Sequence, residues 1–106
     1  MGKIIKIDTA DNKKIVVSLN IDGKTYESFS ESTLLKSEAC LPLIDNLLNK
    51  NKVNLKDLSE IYVNEGPGSF TGLRVGVAIA NCLSYLLKIP VNGREIGELA
   101  VPVYNG

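Results

Sequence analysis

The residues most able to do chemistry in this sequence form one run, Gly66-Pro67-Gly68-Ser69-Phe70-Thr71-Gly72-Leu73-Arg74, between a β-prone segment and a long apolar one. A glycine turn leading from a strand into a helix gathers backbone N–H groups at the positive end of the helix dipole, where anions bind. Gly66, Gly68 and Ser69 are therefore candidate phosphate-binding residues. The run lacks the Gly-Lys-Ser/Thr ending of a P-loop, and Thr71 stands where a dinucleotide fingerprint has its third glycine, so neither motif applies. The same residues also read as a tight turn, with Ser69 or Thr71 capping the helix. Ser69 has no partner as a nucleophile, because the chain contains no histidine to activate it. Two cysteines, Cys40 and Cys82, lie far apart, so zinc ligation of the usual kinds has almost no donors; both read as reduced and buried.

The elements that must position this run follow from periodicity. Ile4, Ile5 and Ile7 form a short apolar stretch that stops at Asp8-Thr9-Ala10-Asp11-Asn12. Ile15, Val17, Leu19 and Ile21 then alternate with Val16, Ser18 and Asn20, and Asp22-Gly23 leads into a second β-prone run through Tyr26 and Phe29. Asp-Gly between two such runs is a hairpin signal, which predicts three antiparallel strands. From Ser37 the period changes: Cys40, Leu41, Leu43, Ile44, Leu47 and Leu48 recur at helical spacing, with Pro42 inside, either in the first turn or at a kink. Glu60 to Asn64 reads as a buried strand, Leu73 to Leu87 as a long helix, and Ile89-Pro90-Val91 as a last strand. A helix between two strands implies a parallel crossover, so the expected fold is α/β, a mixed sheet of about five strands with two main helices.

At 106 residues the chain, 1–106, is read as one domain. Twelve basic residues balance twelve acidic ones, so no global field holds nucleic-acid phosphates and contact with RNA is expected only indirectly. The first residues turn charged at once and no apolar stretch reaches membrane-spanning length, so a cytoplasmic location is expected.

The second helix is apolar almost all round, leaving a thin polar stripe at Arg74, Asn81, Ser84 and Lys88. Such a helix requires cover on two sides. Gly72, Gly76 and Ala80 recur every fourth residue as a ridge of small side chains, which either accommodates the first helix or receives a helix from a partner.

The run from Gly66 to Gly76 resembles the signature of the TsaB (YeaZ-like, formerly glycoprotease-like) proteins. Ile7-Asp8-Thr9 resembles that family's first strand and its phosphate-loop position, Cys40-Leu41-Pro42-Leu43-Ile44 its first helix, and Ile89-Pro90-Val91 the segment after the signature helix. The resemblance implies a single actin-like ATPase (ASKHA, RNase H-like) lobe, the first of the family's two, with the second absent. It adds Asp8 and Thr9 to the phosphate or nucleotide candidates, Asp8 near a bound magnesium ion. It also implies a helical pairing surface, here Cys40, Leu43, Ile44, Leu47, Gly72, Leu73, Gly76, Ala80 and Leu83.

By the same resemblance, the expected function is a non-catalytic assembly subunit for threonylcarbamoyladenosine formation at position 37 of transfer RNA. It would stabilise a TsaD-like catalytic paralogue, with a TsaE-like ATPase as accessory, while the apolar helix surface that a lone lobe leaves in water predicts a homodimer when alone. Ser37-Glu38-Ala39-Cys40-Leu41 carries no counterpart of the paralogue's metal histidines, so neither metal nor catalytic residues are expected. The competing reading is a small nucleotide-binding actin-like module, in which half a cleft binds ATP or ADP with magnesium weakly unless another chain supplies the second wall. A stand-alone hydrolase lacks any nucleophile, base and orienting group in sight.

Overall fold

The computed structural model of the chain describes residues 2–11, 14–31, 36–68 and 70–103, with the backbone alone at 36–38, 70 and 71. The elements run β1 (Lys3–Asp8), β2 (Ile15–Ile21), β3 (Lys24–Ser30), α1 (Lys36–Lys50), a 3-10 turn (Leu55–Asp57), β4 (Glu60–Val63) and α2 (Phe70–Leu87). Asp22 and Gly23 take φ of 50° and 92°, as a two-residue hairpin requires, and Ile21 faces Lys24 across it. β1 and β2 are antiparallel, while β1 and β4 run parallel with Ile5 beside Ile61 and Ile7 beside Val63. The sheet order is β3-β2-β1-β4.

Alternation decides which face is core. Ile5 and Ile7 of β1, Val17 and Leu19 of β2, and Ile61 and Val63 of β4 share one face and are buried, whereas Lys6 and Tyr62 point to the other and are exposed. Both helices lie on the buried face: Cys40, Ile44, Leu47 and Leu48 come from α1, and Val77, Ala80 and Leu83 from α2. Full burial of each large apolar side chain contributes about 1.5–3 kcal/mol, which is what holds the two layers together.

Two expectations change. The last strand is reduced to one parallel bridge between Ile61 and Val91, so among the described residues the sheet has four strands. Pro90 offers no N–H for a ladder, although its carbonyl accepts from Ile61 N–H at 3.0 Å, and Asn92 and Gly93 turn the chain away at φ of 53° and 72°. The Asn92 side chain completes the pairing instead: its Oδ1 accepts from Val63 N–H at 2.8 Å and its Nδ2 donates to Val63 O at 3.1 Å. The second change concerns the cysteines. Cys40 is buried, and burial pushes its thiol up to about 11, but Cys82 is exposed because it lies on the outward arc of α2. Pro42 stands inside α1 and exposed. Among the described residues no helix is long and apolar enough to cross a membrane.

Candidate functional site

Parallel pairing of β1 with β4 brings their C-terminal ends out side by side, so the Asp8-Thr9-Ala10 turn and the Asn64 to Gly68 loop meet at one edge of the sheet. Asn64 N–H still donates to Ile7 O at 3.0 Å, one residue beyond the ladder. Asp8 Oδ1 accepts from Ala10 N–H at 3.0 Å and from Asn64 Nδ2 at 3.3 Å. Asn64 Oδ1 in turn accepts from Gly66 N–H at 2.9 Å. The two loops are therefore tied by an amide and a carboxylate before any ligand is considered.

Thr9 is buried, and its hydroxyl goes to α2. It donates to Gly72 O at 2.5 Å and accepts from Gly76 N–H at 3.1 Å. Gly72 O and Gly76 N–H are the two ends of one i to i+4 rung, so the hydroxyl sits on the helical ladder itself, and the helix must present bare backbone there. A side chain at Gly76 would run into Thr9 Oγ1 and lie 3.3 Å from its Cγ2. At Gly68 a Cβ would lie 2.7 Å from Ala10 Cβ, and at Gly66, which has φ of 120°, it would meet the Val103 carbonyl. The peptide bond from Gly66 to Pro67 is cis.

Asp8, Thr9, Gly66 and Gly68 are thus brought together, while Ser69 lies outside the described residues. What they form is packed on itself. Ala10 fills the hollow beside Gly68, Val103 fills the one beside Gly66, and the Thr9 hydroxyl is committed to the helix. Of the backbone N–H groups at this edge, those of Ala10 and Gly66 are taken up by the Asp8 and Asn64 side chains. Among the described residues no group of three or more His, Cys, Asp or Glu side chains is placed to hold a metal ion.

The residues expected to face a partner turn inward. Cys40, Ile44 and Leu47 of α1 and Gly72, Leu73, Gly76, Ala80 and Leu83 of α2 are buried within this chain, and Leu43 is half-buried. The small ridge receives Thr9 of β1, not a partner helix. The reason is the all-round apolarity of α2, which leaves the choice of inward arc to the rest of the fold. The opposite arc carries Ala78, Cys82, Tyr85 and Leu86 in solvent, with Val75 and Ile79 half-buried beside them. Tyr85 is 80% and Leu86 66% exposed, and Leu41 of α1 is exposed as well. Spacing of Val75, Ile79, Cys82 and Leu86 at three and four residues was the signal for this second stripe.

Glu65, next to the glycine loop, has a role that sequence reasoning missed. Its carboxylate accepts from Arg94 Nη1 at 2.8 Å and Nη2 at 3.3 Å, and from Val101 N–H at 2.7 Å. Its carbonyl accepts from Val103 N–H at 2.6 Å. Partial burial pushes the carboxyl up, but the bonds from Arg94, Val101 and Asn92, with the Arg94 charge, outweigh it and hold the group below its ordinary 4.5. The two ends of the Arg94 bond lie 29 residues apart, and no short-range pattern announces such a pair.

A sequence model of the TsaD family, described as tRNA N6-adenosine threonylcarbamoyltransferase, matches residues 33–95. The chain is 32% identical over 113 residues to the Bacillus subtilis tRNA threonylcarbamoyladenosine biosynthesis protein TsaB, a match that takes in 96% of this chain and 49% of that protein. It is 40% identical over 81 residues to the TsaB of Buchnera aphidicola subsp. Schizaphis graminum, covering 76% of this chain and 34% of that one. Its fold superposes on YeaZ from Pseudomonas aeruginosa with a TM-score of 0.82 at 26% identity, covering 90% of this chain and 44% of the other. The chain spans about half the length, or less, of these relatives.

Proposed function

The chain belongs to the TsaD family and is TsaB-like within it, and from that premise we propose that it serves threonylcarbamoyladenosine formation on transfer RNA as a non-catalytic assembly subunit. In this reading it stabilises a TsaD-like catalytic paralogue, with a TsaE-like ATPase as accessory, and meets transfer RNA only through them. The observation that carries the proposal is the outward arc of α2. Ala78, Cys82, Tyr85 and Leu86 line a helix face in water, and exposed apolar surface of that kind marks association sites. Aromatic anchors such as Tyr85 carry a disproportionate share of interface energy.

The experiment is co-purification of the chain with the TsaD-like paralogue of its own organism, followed by affinity measurement on Tyr85→Asp and Leu86→Glu. Each variant should bind at least tenfold more weakly while melting at the parent temperature, since both side chains are exposed. Unchanged affinity in both would remove α2 as the pairing face.

The second reading, a nucleotide-binding module, draws on the convergence of Asp8, Thr9, Gly66 and Gly68 at the C-terminal ends of two parallel strands, where α/β folds place ligands. Against it, the hollow is filled by Ala10 and Val103 and the Thr9 hydroxyl is engaged. The chain alone is therefore expected to bind ATP with magnesium weakly or not at all, affinity depending on a partner. Calorimetry giving micromolar affinity that disappears in Asp8→Ala would reverse the ranking of the two readings.

A further inference from the structure

Val91, Asn92, Gly93 and Arg94 form a tight turn at the bridge to β4, closed by Arg94 N–H on Val91 O at 3.0 Å. Asn92 and Gly93 take φ of 53° and 72°, the signs of a type I′ turn, for which Asn-Gly is a preferred pair. The Asn92 carboxamide meets both backbone groups of Val63, accepting from its N–H at 2.8 Å and donating to its carbonyl at 3.1 Å, and it also bonds the Glu65 carboxylate. That carboxylate accepts from Arg94 Nη1 at 2.8 Å and from Val101 N–H at 2.7 Å, and the Glu65 carbonyl accepts from Val103 N–H at 2.6 Å. One carboxamide therefore stands at the root of the contacts that keep residues 94–103 on the end of β4. Beside it lies a nucleophile with little to restrain it. Gly93 is exposed, a Cβ there would meet nothing within 4 Å, and among the described residues no acceptor engages its N–H. The turn at Asp22-Gly23 differs in this respect, since Gly23 N–H donates to Asn20 Oδ1 at 3.2 Å.

We propose that Asn92-Gly93 is a self-modification site, at which Asn92 converts to aspartate or isoaspartate, and that the conversion unlatches residues 94–103 from β4. The Gly93 nitrogen attacks Asn92 Cγ, and the new C–N bond closes a five-membered succinimide. The carboxamide nitrogen leaves as ammonia, taking up the proton that the Gly93 nitrogen gives. Water then opens the ring at either carbonyl, so the balance is one water consumed and one ammonia released. The product carries a carboxylate where Val63 O and the Glu65 carboxylate had a donor, so one hydrogen bond is replaced by repulsion at each. In isoaspartate the backbone also gains a methylene inside the tight turn. Attack makes Cγ tetrahedral and ends the planar amide that Val63 binds, so the bonds at Val63 oppose the reaction and the folded chain reacts more slowly than the unfolded one. The site is independent of the pairing role given to α2.

The test incubates the full 106-residue chain in neutral buffer with and without urea and follows Asn92 by tandem mass spectrometry, which separates it from Asn105-Gly106, the other Asn-Gly in the sequence. We expect the amide-to-acid mass gain at Asn92 in the folded chain, ahead of every asparagine not followed by glycine, and about tenfold faster in urea. Hydrogen exchange on Asn92→Asp reads the consequence: the amides of Val101 and Val103 should exchange at least tenfold faster than in the parent, with those of β1 and β2 unchanged. Should Asn92→Asp fail to fold, Asn92→Gly gives the same reading, since it keeps the left-handed turn and removes the same bonds without adding a charge. Folded protein that gains no acid at Asn92 while the urea sample does overturns the site, and equal rates in the two overturn the part given to Val63. Unchanged exchange at Val101 and Val103 in a folded variant overturns the unlatching.

Discussion

At Thr9 one hydroxyl settles how two distant parts of the chain meet. It accepts from Gly76 N–H and donates to Gly72 O, and the glycine keeps clear the space that the threonine occupies. Gly76→Leu should therefore destabilise the fold by about 1–3 kcal/mol or more through overpacking, read as a lower urea midpoint. Thr9→Val keeps the shape and loses the bonds, at a cost of about 1–2 kcal/mol, and Thr9→Ser should recover most of that loss. A Gly76→Leu protein as stable as the parent would show that the helix does not lie on Thr9. Glu65 offers a test by pH. Because its folded pKa lies below the ordinary 4.5, the group contributes stability that is fully present above the unfolded value and is lost as pH falls through the folded one. In Glu65→Gln that contribution is gone, so its stability should lie below the parent's at pH 7, and the gap should close as pH falls through the folded pKa. Parallel curves from urea melts across that range would contradict the assignment. The difference between the two proteins isolates this carboxyl, since all others are common to both.

The helices end in a way that the residue types alone do not favour. α1 closes with Val53 N–H on Leu48 O at 2.9 Å and Lys52 N–H on Asn49 O at 3.1 Å, and α2 with Ile89 N–H on Ser84 O at 3.2 Å. The residues that turn the chain left-handed at these points are Lys52 and Lys88, with φ of 56° and 55°. Glycine is the usual residue there, since any side chain in that region costs about 1–2 kcal/mol. Lys88 is exposed, so Lys88→Gly removes the strain without losing packing and should stabilise the protein by about 0.5–1 kcal/mol, checked by thermal and urea melts. A loss of stability there would mean that the lysine stem contributes contacts outweighing the strain. Ser84 adds to the same end, its hydroxyl donating to Ile89 O at 2.6 Å, which fixes the path from α2 to the bridge at Val91.

For the whole molecule the question is what covers the apolar surface left outside. A two-layer lobe buries one arc of α2 against its own sheet and leaves the other in water with Tyr85 and Leu86. We expect the chain on its own to pair with a second copy through its helices, an interface of about 800 Å² per partner being within their reach. Light scattering at micromolar concentration should report the dimer, and Leu86→Glu should return the monomer. A parent protein that scatters as a monomer throughout would leave the arc to the paralogue alone.

Much of this architecture is written in local pattern. The alternation of Ile15, Val17 and Leu19, the Asp22-Gly23 turn and the change to helical spacing near Cys40 specify elements within a few residues of where they lie, because each depends on neighbours in sequence. The placing of Asp8, Thr9, Gly66 and Gly68 at one edge follows from the parallel pairing of β1 with β4, whereas the crossover that the order of elements implied was the one from Glu60–Asn64 to Ile89–Val91. Only the tertiary structure decided which arc of α2 turns inward, for a helix apolar all round gives no local reason to prefer one. It placed Gly72, Gly76 and Ala80 in the core through a threonine 67 residues from Gly76, and gave Glu65 its partners Arg94 and Val101 from beyond the helix. It reduced the last strand to a bridge as well, since Pro90 donates nothing and Asn92 meets Val63 with its side chain. Local sequence dictates backbone preference and amphipathic period, whereas the partner of each buried polar atom is settled only when the whole chain closes around it.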